Sequence, residues 1–104
     1  MSLNEIHIAD VGTVFEVTIK DGDVAVEIDS ASSMEIIFLK PDLTTVTNVA
    51  VLSSDGLDGK MQYVVLSPTE LDQVGTWKIQ GNVELPSGRW STNIDKFKVY
   101  GNLT

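Results

Sequence analysis

Cysteine is absent from this chain, and histidine occurs once, at His7. The first absence excludes a disulfide framework, a thiolate zinc site and a cysteine nucleophile. With no second histidine, His7 reads as an ordinary end-strand residue, not a zinc ligand or the base of a triad. Basic residues are scarce, seven against fifteen acids, for a formal charge of −8. Affinity for nucleic acid and for anionic membrane surfaces comes largely from Lys and Arg, so neither partner is expected. No apolar run approaches the roughly 20 residues that cross a bilayer. The N-terminus has neither the basic nor the apolar region of a signal peptide, and Met1 to Leu3 read as an added leader carrying no weight. No glycine-rich loop follows a strand and opens a helix, so no phosphate cradle and no cofactor are expected.

What remains is one domain's worth of chain. Its 104 residues are 42% apolar and 21% charged, enough for a single core without staples. No repeat, linker or low-complexity tract divides it, so residues 1–104 read as one domain. The charge is uneven: residues 1–58 hold eleven acids and two bases, residues 59–104 four acids and five bases.

Strand follows strand, with turn residues every eight to twelve positions, the spacing of a sandwich or barrel. From Thr13 to Lys20, Phe15, Val17 and Ile19 alternate with polar residues, which puts them on a buried face. Asp21-Gly22-Asp23 is a hairpin turn, and Val24, Val26 and Ile28 are expected inward on the next strand. Met34 to Lys40 is apolar on both faces, as in a central strand. Pro41-Asp42 turns the chain into Thr45 to Leu52, and Lys60 to Leu66 is a fifth strand. Ser67-Pro68-Thr69-Glu70 carries the signals of a helix start, with Ser67 to cap and Glu70 to complete a capping box. A helix of at most two turns, ended by Gly75, is expected there. Thr76 to Leu85 points Trp77, Ile79 and Val83 inward, and Arg89 to Tyr100 closes a seventh strand. The reading is an all-β, seven-stranded antiparallel immunoglobulin-like sandwich with one short helical crossover.

Two breaks of parity refine it. Ile6 and Ile8 are out of phase with Phe15, so the first strand kinks around Asp10 to Gly12. Trp90, Thr92 and Ile94 are even where Phe97 and Val99 are odd, which demands an extra residue, expected near Asp95-Lys96.

Site chemistry is thin. Asp21 to Asp23 and Asp55 to Gly59 cluster oxygen ligands, but neither fits the calcium-binding EF loop, and Asp-Gly pairs are favoured turn residues. Turns are the reading, with a weak cation site as the alternative. Trp77, Trp90, Tyr63 and Tyr100 are the aromatics that a stacking platform would use. Alternation places Trp77 in the core, leaving Trp90 and Tyr100 as the candidates for ligand stacking. Asn102-Leu103-Thr104 matches a glycosylation acceptor, read as chance.

Several segments together resemble a known family. They are Val11-Gly12-Thr13-Val14-Phe15 with the Asp21-Gly22 turn, Ile36-Ile37-Phe38-Leu39-Lys40-Pro41-Asp42, Gly75-Thr76-Trp77-Lys78-Ile79-Gln80-Gly81, and Phe97-Lys98-Val99-Tyr100. Their order is similar to the small immunoglobulin-like domains of phage tail and baseplate proteins, such as the N-terminal domain of the baseplate upper protein. One departure is Leu43, where such turns usually place Gly. The resemblance implies a non-enzymatic structural or adhesive module of a virion tail, made in the bacterial host cytoplasm. Its partners would be other tail or baseplate subunits, with weak glycan contact at most; no catalytic residue, metal or cofactor is carried over. The alternative is a carbohydrate-binding module on a virion or bacterial surface.

Overall fold

A computed structural model describes residues 6–92 and 94–101. The leader at residues 1–3 and the glycosylation acceptor at 102–104 lie outside the described residues. Eleven strand segments follow one another: β1 (Ile6–His7), β2 (Val14–Thr18), β3 (Lys20–Asp21), β4 (Val24–Ala25), β5 (Ser33–Leu39), β6 (Thr45–Val49), β7 (Val51–Leu52), β8 (Lys60–Val64), β9 (Gly75–Leu85), β10 (Gly88–Ser91) and β11 (Asp95–Tyr100). One sheet runs β1-β11-β9-β5-β6, with β10 also on β9; a second runs β2-β8-β7; β3 and β4 form a hairpin. The two larger sheets pack face to face as a sandwich.

The eleven-residue β9 is the spine. Its odd-numbered Trp77, Ile79, Val83 and Leu85 are all buried while Thr76, Lys78 and Glu84 are exposed, the period-two pattern of a strand with one wet face. Along one edge β5 pairs with it from Leu39↔Lys78 to Ser33↔Glu84; along the other it carries β10 and β11 end to end. Ile36 and Phe38 of β5 are buried and Ile37 and Leu39 half-buried, as expected of a strand with neighbours on both sides.

At Gly81 the second sheet presses close on β9. A Cβ there would sit 2.7 Å from both Met61 Cε and Val17 Cγ2 of the second sheet, so the missing side chain is what lets the layers meet. An aromatic cluster fills the neighbouring layer. Phe15 of β2 lies with its ring 5.0 Å from Phe38 and 4.7 Å from Phe97, and Trp77 stacks on Phe97 at 5.6 Å. Trp77 is fully buried, 0% exposed, and its indole N–H donates to the Gln73 carbonyl at 3.0 Å, so its one polar atom is satisfied.

Both parity breaks have structural counterparts. Ala9 and Gly12 take positive φ where the chain leaves β1 in the first sheet for β2 in the second. The extra residue in the last strand falls slightly earlier than Asp95-Lys96. Ser91 pairs with Asn82 and Asp95 with Ile79, so the chain between Ser91 and Asp95 is one residue longer than its partner. Thr92 pins the bulge: its N–H donates to the Gly81 carbonyl at 2.8 Å, and its hydroxyl accepts the Gly81 N–H at 2.9 Å. Beyond it Ile94 is turned out, 62% exposed, instead of inward.

Four expectations are corrected. The strand count is higher than seven because long strands break: Thr45 to Leu52 changes sheet at Ala50, whose N–H donates to Met34 of β5. The sandwich is not wholly antiparallel, since β1 runs parallel to β11. Val24 lies on the β3–β4 hairpin, which projects from the packed layers, and is 70% exposed. No helix occurs among the described residues, and hence none long enough to cross a membrane. Ser67 to Glu70 forms a single turn with the capping-box bond in place, the Glu70 carboxylate accepting the Ser67 N–H at 2.7 Å. Helix growth stops because Leu71 is drawn fully into the core. Lys40 then pairs with Asp72 at 3.0 Å, and Asp42 accepts from Gln73 at 2.8 Å, holding the chain extended towards β9.

The turn from Lys40 to Thr44 carries the family departure. Leu43 has φ +72° and donates to the Lys40 carbonyl at 2.9 Å, with Asp42 accepting from the Thr44 N–H and hydroxyl. This is a hairpin whose last turn residue must be left-handed, a conformation that a Cβ makes costly. Leu43 is 78% exposed, so its side chain offsets little of that cost. Leu43→Gly is expected to stabilise the fold by about 0.5–1 kcal/mol, relief of the left-handed strain less the greater unfolded-state entropy of Gly. A urea midpoint unchanged or lowered by the substitution would contradict the strained turn.

Candidate functional site

The sandwich is closed on the side of β6 and β7 by one continuous segment of chain that serves both sheets. It is open on the other side. There β2, an edge strand paired among the described residues only with β8, faces β10 and β11 across a groove of about 1280 Å³. Val14, Phe15 and Val17 line it from one sheet, Ile79 and Phe97 from the other. Val17 and Phe97 are only half-buried, although they point between the layers. Glu16 and Lys20 stand on one wall, Asp95 and Lys96 on the other, and exposed Ile94 lies on the rim. Gly22 reaches one mouth, carrying Asp21 and Asp23 on either side of it.

The pairing of β2 decides what the groove meets. At the two ends of its ladder the Val65 N–H donates to the Thr13 carbonyl and the Ile19 N–H to the Gly59 carbonyl. In an antiparallel pair, residues alternate between those that exchange hydrogen bonds with the neighbour and those that turn their N–H and C=O away. The odd residues from Thr13 to Ile19 are therefore the bonded ones. The amides and carbonyls of Val14, Glu16 and Thr18 face the open side.

The sequence-stacking candidates are not brought together. Trp90 pairs across from buried Val83, faces inward and is half-buried, packed against the core. Tyr100 lies at the far end of β11 on the outer face, 37% exposed, with Lys98 Nζ 4.9 Å over its ring and His7 tilted against it at 5.9 Å. The two rings lie on different strands, β10 and β11, and on opposite faces. Trp77 and Tyr63 are no closer to a platform, the first in the core and the second engaged with Glu70. The groove was not legible as a site, because its lining residues carry the same alternation as any buried face.

The acidic loops are built as turns. Asp55 accepts the Leu57 N–H at 3.0 Å, and Asp58 accepts the Lys60 N–H and the Ser54 hydroxyl, both at 3.1 Å. These bonds, the Lys60 N–H foremost, hold the Asp58 carboxyl below its ordinary range. No group of three or more His, Asp or Glu that could share a metal ion occurs among the described residues. Asp42, in the turn from Lys40 to Thr44, is lowered chiefly by the Thr44 hydroxyl. Glu70 and Tyr63 form a pair at the corner between β8 and β9. Burial pushes the Glu70 carboxyl up, but the Tyr63 hydroxyl and the N–H groups of Leu66 and Ser67 outweigh it and leave it lowered. Burial, then the bond to Glu70, pushes the Tyr63 phenol up to about 12. None of these four groups lines the groove.

A pH dependence follows with a definite sign. Glu70 has a lower pKa folded than unfolded, so its contribution is complete above the ordinary value of 4.5 and is lost as pH falls through the folded value. Tyr63 has a raised pKa, so its contribution holds below 10 and fades as pH rises towards about 12. Tyr63→Phe is expected to lower the melting temperature at pH 7 and to flatten both limbs of the stability profile. A variant whose acid and alkaline limbs match those of the parent would show that the pair contributes nothing.

No family model and no curated protein matches this sequence. Among solved structures, CopC from Methylosinus trichosporium OB3b is similar in fold, with a TM-score of 0.58 over 96% of this chain and 87% of that chain, at 13% sequence identity. At that identity the likeness shows the fold alone, and the fold it shows is a β-sandwich.

Proposed function

We propose that the chain is a non-enzymatic structural or adhesive module of a bacteriophage or prophage tail or baseplate, working through contacts with neighbouring protein subunits. The observation that carries this is the open side of the sandwich, where a strand edge with unpaired backbone groups borders a groove with apolar residues between charged walls. Such an edge is a template for another chain and is normally guarded unless it has a use. The finer, immunoglobulin-like reading is supported by strand order: β2-β8-β7 on one side and β1-β11-β9-β5-β6 on the other match the arrangement of a variable-type domain. The groove holds no nucleophile–base pair, and its carboxylates Glu16 and Asp95 share it with Lys20 and Lys96. The formal charge of −8 favours protein partners over nucleic acid or anionic lipid. The phage assignment itself rests on the family resemblance of the segments around Gly12, Pro41, Trp77 and Phe97.

The test is location. Particles purified from the strain that encodes this chain are expected to contain it in fixed stoichiometry, with antibody against it labelling the tail by electron microscopy. A glycan array should stay silent. Absence from the particle would overturn the structural reading, and saturable binding to one glycan, lost on Tyr100→Ala, would replace it with carbohydrate recognition.

A further inference from the structure

The groove specifies more than a contact. Three features coincide at β2 and the wall that faces it. The N–H and C=O of Val14, Glu16 and Thr18 point to the open side with no partner among the described residues. The inward side chain of Val17 is only half-covered beside them. On the facing wall, β1 pairs among the described residues with Val99 and Tyr100, and the stretch of β11 from Asp95 to Phe97 lines the same groove. A sheet that has its edge amides and its inward apolar residues exposed at the same place lacks one strand.

We infer that β2 is completed by an extended segment of a partner protein, which adds beside Val14–Thr18 as a further strand, is apolar at alternate positions and carries net positive charge. The inference rests on the structural reading above and names the partner's chemistry. The alternation follows from pairing: a strand laid on β2 directs every second side chain into the groove, against Val17 and Phe97, and the others to solvent. The length follows from β2 itself, whose five residues span about 17 Å, room for a segment of about five to seven residues. The sign follows from charge. The chain is −8 overall, and Glu16, Asp95, Asp21 and Asp23 line or flank the groove against Lys20 and Lys96. A basic segment is therefore drawn in, and a second copy of this acidic chain is repelled. Rim residue Ile94, 62% exposed, gives the incoming strand an apolar contact that the isolated domain leaves in water.

The probe is a seven-residue peptide, capped at both ends, with Val at alternate positions and Lys and Thr between them; its counterpart replaces Lys with Glu. In the free protein the amides of Val14, Glu16 and Thr18 should exchange quickly with solvent and those of Phe15 and Val17 slowly. The basic peptide should bind saturably and protect the first three, and the acidic one should bind at least about tenfold more weakly. Glu16→Pro removes an N–H that makes no bond to β8, so it should leave the melting temperature near that of the parent while abolishing binding. Ile94→Lys, at an exposed position with no folding role, should weaken the basic peptide at least about tenfold by charge and lost contact. Failure of the basic peptide to bind, equal binding of the acidic one, or binding undiminished in both variants would overturn the proposal. So would concentration-dependent protection of the three amides in the protein alone, which would make a second copy the occupant. A chain found in the particle whose groove ignores the peptide would remove this site and leave the structural reading standing.

Discussion

The architecture depends on one strand being paired along both edges over nearly its whole length. β9 must be long enough to serve β5 on one side and both β10 and β11 on the other, and it must let the second sheet come close at its middle. Gly81 meets the second demand, since any side chain there would collide with Met61 and Val17. The first demand creates a mismatch, because a strand from Gly88 to Tyr100 in unbroken register would put either Trp90 or Phe97 on the wrong face. The extra residue between Ser91 and Asp95 resolves it, and the Thr92 hydroxyl and amide hold the kink against Gly81, the same residue that sets the spacing of the layers. Spacing and register are thus settled at one place in the core.

Much of this was legible because it is written in side-chain parity. Trp77, Ile79 and Val83 had to share a face, and the conflict between Trp90 and Phe97 had to produce a bulge, whichever partners the strand found. Its position was off by a few residues, since parity shows that a residue is inserted but not where the backbone absorbs it. The break at Ala50 was invisible for a related reason. Val46, Asn48, Ala50 and Leu52 keep one alternation while the chain crosses from one sheet to the other, and alternation does not say which sheet a residue belongs to. The helix expected after Ser67 shows the reverse failure. Its local signals are real, and the capping-box bond forms. Burial of Leu71 and the bonds from Lys40 and Asp42 to Asp72 and Gln73 decide the outcome, and these are contacts made about thirty residues away.

The open side was hidden from the sequence in the same way. Phe15, Val17 and Phe97 alternate as core residues should, and nothing in their spacing records that a neighbouring strand is missing. Only the sheet order exposes it: β2 is an edge, β10 and β11 are nearly an edge, and the two face each other. The acidic surface then acquires a meaning that composition alone left open. On the proposal above, the charge that would keep copies of the chain apart also favours a basic partner along the open edge of β2. On this account the domain is stable by itself and complete only in an assembly.

That claim is met most directly by imaging the domain inside the assembled particle at a resolution that separates strands. The account predicts density for an extended segment of a different protein running beside β2 at about the 4.7–4.9 Å strand spacing, with side chains reaching towards Val17 and Phe97. A groove left to solvent while the domain is held through another face would contradict it.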